Sequence, residues 1–218
     1  MLYVQVLQDP ALGAQNLKQL KQDFPASKYA QTVDAALASL EAQSASMKIQ
    51  SALKVGTEFP AFAVKDSTGQ PLALADYRGK VVMLDFWAMW CGPCLAELPN
   101  VVQAYKDFHA RGFEIIGISL DRDGDGPKLA AFNKEKEMPW RQFFDGKYWQ
   151  NELAQKYGVN AIPATYLLDA QGRIIGKDLR GPALAAGIAT CATPRPRWRD
   201  KEEWPRAAPP ICCPDAKC

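Results

Sequence analysis

The sequence predicts an α/β fold, a central mixed sheet flanked by helices, with an N-terminal helical hairpin ahead of it. Three observations carry this. Residues 81–87 form an apolar run that turns, past Cys94, into the three-and-four spacing of Leu95, Leu98, Val102 and Tyr105. A short apolar run of this kind reads as a buried strand, and that spacing as a helix. A second apolar run, 113–121, completes a strand–helix–strand unit whose strands are parallel. A third run, Thr165-Tyr166-Leu167-Leu168, meets the turn Asp169-Ala170-Gln171-Gly172 and then Arg173-Ile174-Ile175-Gly176, a hairpin that makes the sheet mixed.

In chain order, residues 1–54 read as helical. Leu12, Leu17, Leu20 and Phe24 mark one amphipathic segment, and Val33, Leu37 and Leu40 a second. Phe24-Pro25-Ala26-Ser27 interrupts them, with Ser27 able to cap the second helix. This hairpin is either a local appendage or a contact surface for a partner or a second copy. Residues 55–188 form the main domain. A β-hairpin turning at Asp66-Ser67-Thr68-Gly69-Gln70-Pro71 precedes the central strand. Pro99 is expected to kink the long helix, which ends near Arg111-Gly112. The loop Asp121-Arg122-Asp123-Gly124-Asp125-Gly126-Pro127 mimics the first half of a calcium loop, but Phe132 stands where a bidentate Glu belongs. It is read as a solvated strand-to-helix connection. An amphipathic helix over 128–137 with Leu129 and Phe132 inward, an extended stretch at 138–145, and one helix over 148–157 with Trp149, Leu153 and Tyr157 on its inner face follow. Residues 189–218 are rich in Pro and Cys and predict a disordered tail or an end out of its normal frame, since Pro194 and Pro196 forbid continuing the helix begun at Leu184.

Composition narrows function. The 218 residues suffice for one core of ordinary size plus an appendage. Apolar residues make up 48% and charged residues 23%, a globular mix, and the net charge of +2 argues against electrostatic capture of nucleic acid or anionic membrane. No apolar run approaches the roughly 20 residues of a transmembrane span. The first ten residues lack a basic region followed by an unbroken apolar stretch, so they do not read as a signal peptide.

The chemistry concentrates at Trp90-Cys91-Gly92-Pro93-Cys94. Cys91 falls at the start of a helix, where unpaired N–H groups and a partial positive charge favour a thiolate, the species that attacks disulfides. Pro93 suits the first helical turn, where its missing N–H costs nothing. Cys94 is placed to displace a mixed disulfide. A zinc site would need a second ligand pair, and none stands nearby. Two carboxylates are candidate proton acceptors for Cys94. Asp85 lies in the middle of an apolar strand, where an acid needs a reason, and Glu97 lies one helical turn after Cys94. The single histidine, His109, sits too far along the helix for a Cys–His pair.

The 81–98 stretch resembles the active site of the thioredoxin superfamily, and the surrounding chain resembles its TlpA/ResA-like branch of thiol–disulfide oxidoreductases, related to the AhpC/TSA group. The resemblance implies a thioredoxin-like fold. It also implies a Cys91–Cys94 dithiol/disulfide pair, and Asp85 and Glu97 match the acids of the simple thioredoxin and ResA-like patterns. Ile162-Pro163 matches the family's cis-proline, so Ile162 and Pro163, with Trp90, Gly92 and Pro93, are expected to bind substrate. The implied partners are disulfide-containing proteins and an upstream thiol donor, with no metal and no cofactor. The implied compartment is the periplasm or cell envelope, with the cytoplasm as the alternative. Two other readings compete. A peroxiredoxin-like peroxidase would consume peroxide without a disulfide substrate, but Trp87-Ala88-Met89-Trp90 replaces that group's Pro-x-x-x-Thr/Ser-x-x-Cys pattern. A non-catalytic binding module would tolerate replacement of both cysteines by serine.

Overall fold

A computed structural model describes residues 10–27 and 30–191. Contacts divide these into two units: residues up to 52 together with 153–160, and residues 53–152 together with 161–191. In the first unit, α1 (Pro10–Asp23) and α2 (Ala30–Ala52) form the expected hairpin around Ala14, Val33 and Leu37. The ion pairs Lys18–Glu41 and Lys21–Asp34 run along its surface. The Gln50 side chain donates to the Tyr157 carbonyl (2.6 Å) and the Ser46 hydroxyl to the Gly158 carbonyl. Gly158 has φ +65°, and a Cβ there would lie 2.7 Å from the Ser46 carbonyl oxygen, so only glycine fits.

The second unit opens with the antiparallel pair β1 (Ala63–Lys65) and β2 (Pro71–Ala73). Then come β3 (Val81–Trp87), α3 (Gly92–Phe108), β4 (Phe113–Ser119), α4 (Gly126–Glu135) and β5 (Arg141–Phe144). The chain continues through α5 (Glu152–Lys156), which runs into the first unit, and ends with β6 (Ala164–Leu168), β7 (Ile174–Lys177) and α6 (Pro182–Cys191). The sheet order is β5-β4-β3-β6-β7, with β3, β4 and β5 parallel and β6 and β7 antiparallel. Every residue of β3 is buried, which explains its continuous apolar character and makes Asp85 the exception. Gly112 closes the α3 end in the left-handed conformation, and Pro99 lies inside that helix.

Two expectations are corrected. The helix expected over 148–157 is two short pieces, a 3-10 turn at Tyr148–Gln150 and α5. Asn151 breaks it: the fully buried side chain donates to the Ser119 carbonyl (3.3 Å) and the Asp145 carboxylate (3.1 Å). The loop after β4 is not solvated at its start, because Asp121 is only 1% exposed. The last helix, α6, runs from Pro182 to Cys191. The remainder of the Pro/Cys-rich tail, 192–218, lies outside the described residues, as does the capping position ahead of α2 at residues 28 and 29.

Asp66 ties the β1–β2 turn down. Its carboxylate accepts from the Thr68 and Gln70 N–H groups and the Thr68 hydroxyl, and from Arg141 Nε (2.8 Å) and Nη2 (2.5 Å) on β5. Burial raises its pKa, but these hydrogen bonds outweigh that and hold it down at about 2. A depressed pKa stabilises the fold above the unfolded value and loses that contribution as pH falls through the folded one. Unfolding free energy should therefore drop between pH 4 and pH 2, roughly the unfolded and folded values, and Asp66→Asn should flatten that part of a denaturation-against-pH curve.

Candidate active site

Cys91 and Cys94 are joined in a disulfide at the turn from β3 into α3. Cys91 is the N-cap of α3, and its Sγ accepts from the Cys94 N–H at 3.2 Å. Both cysteines are buried, at 4% and 6% exposure, while Gly92 and Pro93 between them are exposed in the first helical turn. The approach to the turn is pinned from the end of β4. The Asp121 carboxylate accepts from the Met89 N–H (3.1 Å) and the Ser119 hydroxyl (2.8 Å), and the Trp90 indole donates to the Leu120 carbonyl (3.2 Å). Asp121 is thus a positioning group for the residues ahead of Cys91. An acid closing an apolar strand was the one sequence signal for it.

Behind Cys94 lies a cavity of about 10 Å³, lined by Asp85, Cys94, Glu97, Pro163, Thr165 and Arg180 among others, with space for about one water molecule. Asp85 is 6% exposed, and burial pushes its carboxyl up to about 7; the Arg180 charge opposes this shift and the Glu97 charge adds to it. Glu97 is half-buried, not a plain surface residue, and its two oxygens accept from the Gly181 N–H (2.6 Å) and the Asn100 amide (3.0 Å). The Ile162–Pro163 bond is cis. Pro163 lines the cavity beside Cys94, whereas Ile162, half-buried, is not among its walls. Arg180, unremarked in the sequence, donates to the Pro163 carbonyl (2.8 Å) and the Thr165 hydroxyl (2.9 Å).

Trp90, 43% exposed, packs against Tyr148 (centroids 5.0 Å apart) and Trp149 (5.8 Å), and Arg122 covers the Tyr148 ring. Sequence reading assigned Tyr148 and Trp149 to a helix, which hid this aromatic wall. Trp87 is buried, and its indole donates to Gln142 (3.1 Å).

The family model for the AhpC/TSA family matches residues 55–177. The chain belongs to this family. Among its relatives, the thiol–disulfide oxidoreductase ResA of Bacillus thuringiensis subsp. konkukian is 33% identical over 129 residues, covering 59% of this chain and 71% of that one. ResA of Bacillus subtilis is 30% identical over 122 residues, covering 55% and 64%. The thioredoxin domain of a thiol–disulfide oxidoreductase from Bacteroides vulgatus superposes with TM-score 0.57 at 31% identity, covering 65% of this chain and 99% of that one. A thiol:disulfide interchange protein from Bacteroides sp. gives TM-score 0.55 at 31% identity, covering 64% and 91%. With the bonded Cys91–Cys94 pair, these matches identify the AhpC/TSA-family chain as a thiol–disulfide oxidoreductase of thioredoxin-like fold.

Within this AhpC/TSA domain the sheet itself supports the site. Thr165, Asp85, Gly117 and Gln142 are register partners in a row across β6, β3, β4 and β5. Gln142 fills the space a side chain at 117 would take, and a Cβ there would stand 1.9 Å from its Oε1. Gly117→Ala should therefore break the Trp87–Gln142 hydrogen bond and destabilise the fold by roughly 1–3 kcal/mol, read by chemical denaturation and by altered Trp fluorescence.

Proposed function

We propose that Cys91 is the attacking thiolate and Cys94 the resolving thiol of a protein-disulfide exchange. The reduced Cys91 sulfur attacks a target disulfide and one target thiolate leaves. Cys94 then loses its proton, attacks Cys91, and expels the second target thiolate, so that two electrons pass to the target and the Cys91–Cys94 disulfide forms. The observation that carries this is the Cys91 sulfur at the capping position of α3, receiving the Cys94 N–H. That contact and the positive end of the helix favour Cys91 as thiolate.

Asp85 is the proton acceptor for Cys94, through the cavity both groups line. Glu97 is the weaker candidate because its oxygens already receive two donors. Trp90, Gly92 and Pro93 form the substrate face, extended by Tyr148 and Trp149, and the Ile162–Pro163 backbone receives an extended segment of the target. The chain acts as a reductant in the cell envelope, in the manner of cytochrome c maturation, drawing electrons from an upstream thiol donor. The thiol–disulfide oxidoreductases among its relatives support the exchange reaction, and the Gly92-Pro93 dipeptide, which resembles that of reducing thioredoxins, supports the direction; the family resemblance supports the compartment. Among the described residues no helix is long and apolar enough to cross a membrane. The boundaries 1–54, 55–188 and 189–218 stand as the proposed domains. Exposed Leu12, Leu20 and Phe24 on the helical hairpin support a contact there with a partner or a second copy.

Cys94→Ser should accumulate a mixed disulfide with substrate while Cys91→Ser forms none, read by mass under non-reducing conditions. If both variants keep wild-type activity, the non-catalytic reading holds; peroxide consumption without a disulfide substrate would favour the peroxidase. A Cys91–Cys94 potential below the glutathione pool, titrated by Trp fluorescence, is expected for a reductant. The resolving step should accelerate as pH rises through about 7, where Asp85 becomes a carboxylate able to accept a proton, and Asp85→Asn should slow it roughly 100-fold and remove that inflection in stopped-flow traces.

A further inference from the structure

Arg180 stands between the two halves of the site. It follows β7, just before α6, and its guanidinium is half-buried. One nitrogen, Nη2, donates to the carbonyl of Pro163 at 2.8 Å; the other, Nη1, donates to the Thr165 hydroxyl and to its neighbour's carbonyl at Leu179, both at 2.9 Å. The planar fork thus spans the cis-proline loop and the first residues of β6. The same side chain forms a wall of the cavity that holds Asp85, Cys94 and Glu97. Among the described residues its one close carboxylate contact is Asp178, at 3.7 Å and largely exposed, so no tight ion pair there neutralises its charge.

We propose that Arg180 is a positioning residue for disulfide exchange, fixing the Pro163 backbone against which substrate lies and presenting a positive charge to the carboxyl that serves Cys94. The inference rests on the assignment of Asp85 as proton acceptor and of the Pro163 loop as substrate surface.

The groups facing Asp85 from each packed element are few. From α3 come Cys94 and Glu97, and from the segment before α6 comes Arg180. The β4 partner is Gly117 and the β6 partner Thr165, neither of them ionisable at neutral pH. Among the described residues Arg180 is therefore the one cation lining the cavity, and it opposes the upward pull of burial and of Glu97 on Asp85. Holding the backbone at Pro163 and holding Asp85 ionisable near neutrality are two outcomes of one side chain, and they separate by substitution. Lysine keeps the charge but lacks the fork; methionine keeps neither.

The test uses the full chain and a fluorescent peptide disulfide, with folding checked by circular dichroism. Arg180→Met should move the pH midpoint of the resolving step upward by about one unit and raise KM roughly threefold. Arg180→Lys should keep the midpoint near the wild-type value while still raising KM. A midpoint that vanishes in Asp85→Asn but is unmoved in a folded Arg180→Met overturns the charge half of the Arg180 role and leaves the Asp85 assignment intact. A wild-type midpoint unaffected by Asp85→Asn overturns the proton-acceptor assignment beneath it, and the inference with it. Equal KM in wild type, Arg180→Met and Arg180→Lys overturns the backbone-holding half.

Discussion

A carboxyl buried in the central strand is the constraint on which the site depends. Water would stabilise the Asp85 anion by far more than a protein interior does, so its burial needs compensation. The fold meets that cost in a graded way. Among the described residues Asp85 has no tight ion pair, which would lock it as an anion, and Arg180 lines the same water-sized cavity. The outcome is a group poised near neutral pH and placed behind the sulfur that must give up a proton.

The second requirement is precision at the strand-to-helix turn. β3 delivers the chain to Ala88, and nothing in β3 itself fixes where Met89 and Trp90 go. The end of the neighbouring parallel strand does so. Asp121 takes the Met89 N–H and the Leu120 carbonyl takes the Trp90 indole. Because β3 and β4 are register-locked from Val81↔Phe113 to Trp87↔Ser119, this support arrives at the same height as the cysteines. The parallel pairing thus accounts for both the sheet and the placement of its reactive turn.

How much of this could be read in the sequence followed how local each cause is. β3, α3 and the cysteine pair were legible because apolar runs, helical spacing and a two-residue gap are short-range signals. The β1–β2 and β6–β7 hairpins were legible for the same reason, through Asp66–Gly69 and Asp169–Gly172. Arg180 was not, since an arginine before a helix gains meaning only when the Pro163 carbonyl is folded back against it. Tyr148 and Trp149 were misread because Trp149, Leu153 and Tyr157 mimic a helical stripe. Asn151 overrides that stripe by bonding to Ser119 and Asp145, groups 32 and 6 residues away in sequence. Asp121 was taken for a turn former because aspartate in a Gly-rich loop usually is one, and only the parallel partner strand gives it an N–H to receive.

The helical unit has an interrupted chain path: α1 and α2 come from the start of the sequence, but residues 153–160 join them only after β5 has been made. During synthesis, the hairpin emerges with Ser46 and Gln50 lacking the carbonyls of Gly158 and Tyr157, which about a hundred further codons supply. Maturation of that unit is therefore coupled in time to translation through most of the redox domain, and trimming the chain at residue 52 would leave a mid-sequence segment stripped of its hydrogen-bonding hosts, not a cleanly isolated domain.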